Sequence, residues 1–178
     1  MQRIAPARGF TMVELAITLA IAALLATMAT PPLAELVRSA RLSSVARELN
    51  ADLVLARREA IKRNTRVLVC PVGATAGKCG TDFTKWASGW LVCYDRDVDG
   101  VCDDTATNDP NPIRRHGALD TQVKVTGPTA AVRFNADGTQ GAAGASTQTF
   151  TVTGIWSGAK TYTGTVAATG NVALAKPS

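Results

Sequence analysis

The chain has 178 residues, a formal charge of +5, four cysteines and one histidine. Beyond a membrane-length helix that leaves about 145 residues, room for one modest domain, and the basicity is too mild to call for a nucleic-acid partner. With a single histidine and no G-x-S-x-G element, nothing supplies a nucleophile and its base, so no enzyme is expected.

Residues 1–9 form a short leader with Arg3 and Arg8. From Phe10 to Ala34 the one ionisable side chain is Glu14. About 20 apolar residues at 1.5 Å rise span a ~30 Å hydrocarbon core, so 10–32 is read as a transmembrane helix. An acid inside such a segment is costly without a partner, which an ordinary signal anchor would not provide. A secretory signal peptide fits worse, because its cleavage site follows the apolar stretch, whereas Gly9 precedes it. Gly9-Phe10-Thr11-x-x-Glu14-Leu15 after a basic leader resembles the processing site of type IV prepilins and pseudopilins. That resemblance implies a prepilin peptidase that cuts between Gly9 and Phe10 and N-methylates Phe10. It implies that Glu14 offsets the terminal amine of a neighbouring subunit in a filament. It also sets the orientation, which Arg38 and Arg41 at the far end leave nearly undecided by charge. The N-terminus would be cytoplasmic, the single pass in the bacterial inner membrane, and the rest periplasmic.

Residues 33–64 continue the helix as an amphipathic extension. Leu42, Val45, Leu49, Leu53, Ala56 and Ala60 recur at steps of three and four and mark one apolar face. From residue 65 to 178 the pattern changes to short β-branched and aromatic runs between Gly, Asn, Asp and Pro. Strands are expected at Arg66–Cys70, Gly89–Tyr94, Val123–Val125, Ala131–Phe134, Thr149–Val152, Tyr162–Val166 and Asn171–Leu174. Residues 138–148 read as a flexible loop. The fold class is therefore α+β, a long N-terminal helix on an antiparallel, sandwich-like β domain of six or seven strands. Ala56-Arg57-Arg58-Glu59-Ala60-Ile61-Lys62-Arg63-Asn64, Cys70-Pro71, Gly89-Trp90 and Phe134-Asn135-x-Asp137-Gly138, in that order, resemble the GspH/FimT group of pseudopilins. The resemblance implies a pilin-like fold and a subunit of a type II secretion pseudopilus or of a type IV pilus tip. Its partners would be other pilins, the prepilin peptidase and inner-membrane lipid.

Four cysteines beyond a membrane helix point to disulfides in an oxidising compartment. Structural zinc cysteines come two to four residues apart, whereas here each pair encloses eight. Three pairings are open, and short-loop closure favours Cys70–Cys79 and Cys93–Cys102. Between the latter two, Asp95-Arg96-Asp97-Val98-Asp99-Gly100 matches the first half of a calcium loop, D-x-D-x-D-G. Asp95, Asp97 and Asp99 would be the ligands, assisted by Asp103 or Asp104. Position twelve is Ala106 rather than the bidentate Glu, and Asp and Gly also dominate plain turns. No other cofactor is expected. His116, between Arg115 and Gly117, reads as a solvated loop residue. Some members of the resembled group bind DNA through a glycine followed by arginines near the C-terminus. Gly170-Asn171-Val172-Ala173-Leu174-Ala175-Lys176 keeps the glycine and lacks the arginines. A DNA-binding minor pilin for natural transformation is thus the alternative function, resting on Arg57, Arg58, Lys62, Arg63 and Arg66.

Overall fold

The computed structural model describes residues 10–75, 77–103, 110–141 and 146–177, with the backbone alone at 27–33. One helix, α1, runs Met12–Arg63. Thr11 caps its start: its Oγ1 accepts the Glu14 amide at 3.2 Å and its carbonyl the Leu15 amide at 3.1 Å. Asn64 ends it in the left-handed region at φ 49°, and the Thr65 amide closes back on the Ala60 carbonyl at 3.2 Å. Lys62 and Arg63 in the last turn oppose the helix dipole favourably.

The chain divides after Arg38 into two units. In the first, every described side chain from Phe10 to Ala26 is exposed, Phe10 by 77% and Met12 by 88%. Among the described residues no helix is long and apolar enough to cross a membrane. The expected span over 10–32 is thus not carried by the described side chains alone. Met12–Ala26 rises about 22 Å, short of ~30 Å. Residues 27–33 continue the apolar run in sequence, and their side chains lie outside the described set.

In the second unit, α1 buries Leu42, Ala46, Leu49, Leu53, Ala56 and Ala60. The stripe takes Ala46 where the sequence pattern takes Val45, which is half-buried at its border. Steps of four and three from Leu42 to Ala60 keep one line on a 3.6-residue turn, and Val45 falls to its side.

Among the described residues, eight strands form two four-stranded sheets. In the first the order is β3 (Arg114–Arg115), β2 (Trp90–Asp95), β1 (Arg66–Pro71), β5 (Val132–Phe134). In the second it is β4 (Val123–Thr126), β6 (Gln148–Gly154), β7 (Thr161–Val166), β8 (Val172–Leu174). All pairs are antiparallel. The strand absent from the sequence reading is β3, two charged residues with no apolar alternation.

One core joins the helix stripe to Val67, Val69, Trp90, Val92, Tyr94, Val132 and Phe134 of the first sheet. It continues into Val123, Val125, Phe150, Val152 and Val166 of the second. Trp86, on a 3-10 turn at Trp86–Ser88, meets Phe150 edge-on at 5.1 Å. Five successive buried residues in β1 and six in β2 mean that both faces of the first sheet are covered. Its outer face carries a second apolar cluster of Leu68, Cys70, Leu91, Cys93, Cys102 and Ala131, with Val72, Cys79 and Phe83 against it.

Residues 138–141, expected to be a flexible loop, are tied down. The Gln140 amide donates to Ala168 O and the Gly141 amide to Arg133 O, each at 2.9 Å. Gln140 is buried there. Residues 142–145 of the same stretch lie outside the described residues.

Candidate functional site

Gly9 and the rest of the leader lie outside the described residues, so the processing junction is seen from Phe10 onward. Phe10 stands just before the cap. Glu14 is exposed on the first turn of α1, among Met12, Val13, Leu15 and Ile17. A long surface of Leu, Ile, Val and Ala carrying one carboxylate has no use in water. It can pack against similar helices or lipid, with the carboxylate reserved for a cation.

The four cysteines pair as Cys70–Cys79 and Cys93–Cys102. Each bond ties a loop back to its own strand, β1 or β2, over the outer face of the first sheet. The acidic loop lies in the second of these loops. The carboxylate oxygens of Asp95, Asp97 and Asp99 fall within 4.8 Å of one another. Asp95 is fully buried, while Asp97 and Asp99 are exposed. Asp95 already accepts the Gly100 amide on both oxygens at 3.2 Å and Arg66 at 3.2 Å. Asp97 accepts the Asp99 amide at 3.4 Å, and Asp99 the Val101 amide at 2.7 Å. Asp103, expected to assist, accepts the backbone and guanidinium of Arg96 instead. Asp104 and Ala106 lie outside the described residues. Burial pushes the Asp95 carboxyl above its usual range, and the Gly100 amide and Arg66 pull it part of the way back. An open cleft of about 390 Å³ adjoins this loop, lined by Lys78, Arg96, Asp97, Asp99, Val101, Cys102 and Asp103.

The basic helix end is spent on internal partners. Arg57 donates to Gly138 O at 3.0 Å and to Thr169 O at 3.1 Å. Lys62 and Arg63 pair with Glu59 at 3.6 and 3.4 Å, and Arg66 pairs with Asp95. Arg63 and Arg96 both lie over the Tyr94 ring, at 5.3 and 4.6 Å. Arg58, Lys62 and Arg63 are exposed, the last two paired along the helix surface with Glu59. Gly170 sits against the Gly138 turn so closely that a Cβ would stand 1.8 Å from Gly138 O. Asn135 holds that turn from inside, donating to Thr139 Oγ1 at 3.1 Å and to Gly141 O. Arg57, Asn135, Gly138 and Gly170 are far apart in sequence and meet at one joint between α1 and two loops.

His116 is not a solvated loop residue. Its ring stacks on Trp90 at 3.9 Å and 13°, and Nε2 lies 2.6 Å from Glu48. The adjacent Trp90 indole donates to buried Asp52 at 2.8 Å, which Arg114 also reaches at 2.8 Å. The Ser44 hydroxyl donates to Glu48 at 2.7 Å. Ser44, Glu48 and His116 are thus joined, but the carboxylate stands between the hydroxyl and the imidazole, so the ring cannot serve as base for the serine. Hydrogen bonds from Ser44 and then His116 hold Glu48 below the ordinary carboxylate range. The arrangement fastens α1 to β2 and β3. The sequence signal that could have found it is the i, i+4 pair Glu48 and Asp52, two acids on a border of the buried helix face.

Residues 45–170 match the family described as type II transport protein GspH, and residues 5–30 match the prokaryotic N-terminal methylation motif. The chain belongs to the GspH family. The GspH match begins within the buried part of α1 and ends at Gly170 of the Arg57 joint. Among solved structures, the type IV minor pilin FimU of Pseudomonas aeruginosa PAO1 is similar at 19% identity, over 79% of this chain and 95% of that one, with a TM-score of 0.53. The minor pseudopilin EpsH from the type 2 secretion system of Vibrio cholerae is similar at 11% identity, over 76% and 96%, with a TM-score of 0.52. At those identities they show the shared fold, an N-terminal helix on antiparallel sheets. No curated protein sequence matches the chain. As a GspH-family chain with a methylation motif, it is a membrane-anchored, periplasmic subunit of the pseudopilin or minor-pilin kind, and other pilin-like subunits are its partners. The family is one of structural, pilin-like subunits.

Proposed function

We propose that a prepilin peptidase cuts this GspH-family chain between Gly9 and Phe10 and N-methylates Phe10. Residues 10–32 then hold it in the bacterial inner membrane as a single pass, N-terminus cytoplasmic and residues 65–178 periplasmic. From there the helix enters a type II secretion pseudopilus or the tip of a type IV pilus. One observation carries this reading: the methylation motif, over residues 5–30, covers the start of α1, where every described side chain from Phe10 to Ala26 is exposed and the one acid is Glu14. Buried in a helix bundle or bilayer, Glu14 and the amine of Phe10 on a neighbouring subunit would each be expensive alone and cheaper together. Intact mass of the membrane-extracted protein from its host tests the processing. Loss of Met1–Gly9 with one added methyl group is expected. A full-length chain, or one cut after the apolar run, overturns it.

Calcium at Asp95, Asp97 and Asp99 is a separate proposal, supported by the convergence of the three carboxylates. It predicts that calcium raises the Tm of the disulfide-bonded chain and that a chelator reverses the rise. An unchanged Tm removes it. The DNA-uptake alternative gains no support, because Arg57, Lys62, Arg63 and Arg66 have partners within the fold.

A further inference from the structure

Cysteine spacing argues against zinc, but folding removes that objection. Cys70 stands opposite Leu91 and Cys93 opposite Leu68, so β1 and β2 put both sulfurs on one face of the sheet, diagonally across a strand pair. The two returning loops bring Cys79 and Cys102 over them. All four sulfurs lie within 4.8 Å of one another. Sγ of Cys79 and Sγ of Cys102, which belong to different disulfides, are 3.3 Å apart. A tetrahedral four-thiolate site with metal–sulfur bonds of ~2.3 Å holds its sulfurs roughly 3.8 Å apart, so small rotations about the Cα–Cβ bonds would suffice.

The backbones that carry these sulfurs are held by hydrogen bonds as well as by the disulfides. Cys79 is bridged to Val72, and around it the Gly73 amide donates to Lys78 O at 2.9 Å and the Gly80 amide to Pro71 O at 2.8 Å. Next to Cys102, the Asp103 amide donates to Tyr94 O at 3.0 Å, and Asn111 Nδ2 donates to Asp103 O at 2.8 Å. Cys70, Cys93 and Cys102 are buried in the outer apolar cluster, while half-buried Cys79 leaves a way in. The Lys78 ammonium, 2.7 Å from Cys102 O, sets a positive charge beside the group, which favours thiolates.

We propose that the reduced chain binds one thiophilic d10 cation, of which zinc is the reference case, on Cys70, Cys79, Cys93 and Cys102. Each disulfide first takes two electrons from a dithiol or phosphine reductant, and two protons from the dithiol or, with the phosphine, from water, and becomes two thiols. The reductant is oxidised to a disulfide, or to a phosphine oxide with oxygen from water. The cation then displaces four thiol protons to the buffer, leaving four metal–sulfur bonds and a net charge of −2 on a divalent centre. Disulfides and metal are mutually exclusive staples for the same two loops.

The test uses the full chain in detergent micelles, reduced by a phosphine without oxygen, and titrated with zinc against a chromophoric chelator and with cadmium for sulfur-to-metal absorption. One metal per chain is expected, with alkylation of all four cysteines slowed about tenfold or more, read by mass spectrometry without any variant. The oxidised chain binds none. Binding below one per chain, or two cysteines left reactive at saturation, overturns the proposal. So does loss of the near-ultraviolet tryptophan signal on reduction that zinc does not restore. In the paired variant Cys79→Ser with Cys102→Ser, the cadmium absorption should vanish, and its persistence overturns the proposal as well.

Discussion

Arg57 reads in the sequence as one of a cluster of solvated cations. In the fold it is a clamp, and the reason it is illegible is distance: its two acceptors, Gly138 O and Thr169 O, lie 81 and 112 residues away. Replacing Arg57 with Ala leaves those carbonyls to water and should cost ~1–3 kcal/mol of unfolding free energy. Gly170→Ala should cost a similar or larger amount, because φ is 76° and the new methyl would strike Gly138 O. Denaturant unfolding of the detergent-solubilised chain checks both, and an unchanged midpoint for either contradicts the joint. Two acids, exposed Glu48 and buried Asp95, make opposite contributions to pH dependence. The Glu48 carboxyl lies below its ordinary value, so its stabilisation is present above that value and is lost as pH falls through the depressed one. The effect is small, since 48% of its side chain faces solvent. Asp95 is raised by burial, so the folded state holds its proton longer than the unfolded state, and stability falls as pH rises from the ordinary carboxylate value through the raised one. Glu48→Gln should therefore flatten the acid loss of stability. Asp95→Asn should remove a decline above pH ~4. Thermal melts across pH 3–7 separate the two, and curves parallel to the unmodified chain would contradict them.

The elements were legible wherever one physical pattern dominated. The helix face at three- and four-residue steps, and the apolar runs of β1 and β2, follow from burial alone. Where the pattern was weak, placement came from partners elsewhere in the chain. Arg114 and Arg115 form a strand because Leu91 and Val92 lie opposite them, and Arg114 reaches Asp52 across to the helix. The sequence shows only two cations beside a histidine. Ala46 enters the buried stripe because it falls on the line of four- and three-residue steps from Leu42 to Ala60, while Val45 occupies the border. Leu53, 1% exposed in the middle of that stripe, should cost ~2–5 kcal/mol when cut to Ala, by loss of burial and the cavity left behind. Leu36→Ala, in the first unit and 64% exposed, should leave the unfolding midpoint unchanged. A comparison of the two unfolding curves reads the difference directly. Equal effects would mean that the second unit does not hold the helix by this face.

At the scale of the molecule, the two units have opposite chemistry. The second buries its apolar surface internally, through one main core and a smaller cluster under the disulfide loops. The first leaves Leu, Ile, Val and Phe uncovered along a helix, at a cost that only lipid or other subunits can remove. In the proposed filament, Glu14 would decide register rather than strength. A carboxylate placed in such a surface is tolerable at one axial position, where a neighbour's terminal amine meets it, and costly one turn away. Glu14→Gln keeps the shape and hydrogen-bonding capacity while removing the charge. The variant should still be inserted, cut after Gly9 and methylated, since the apolar run and the cleavage glycine are intact. It should enter sheared filaments at least about tenfold less than the unmodified chain, because the amine of Phe10 is left without its counter-charge. Intact mass reports the processing and filament composition reports the incorporation, on the same preparation. Normal processing with normal incorporation would mean that side-chain packing alone sets the register. Failed processing would place Glu14 in recognition by the peptidase, a role the filament reading does not give it.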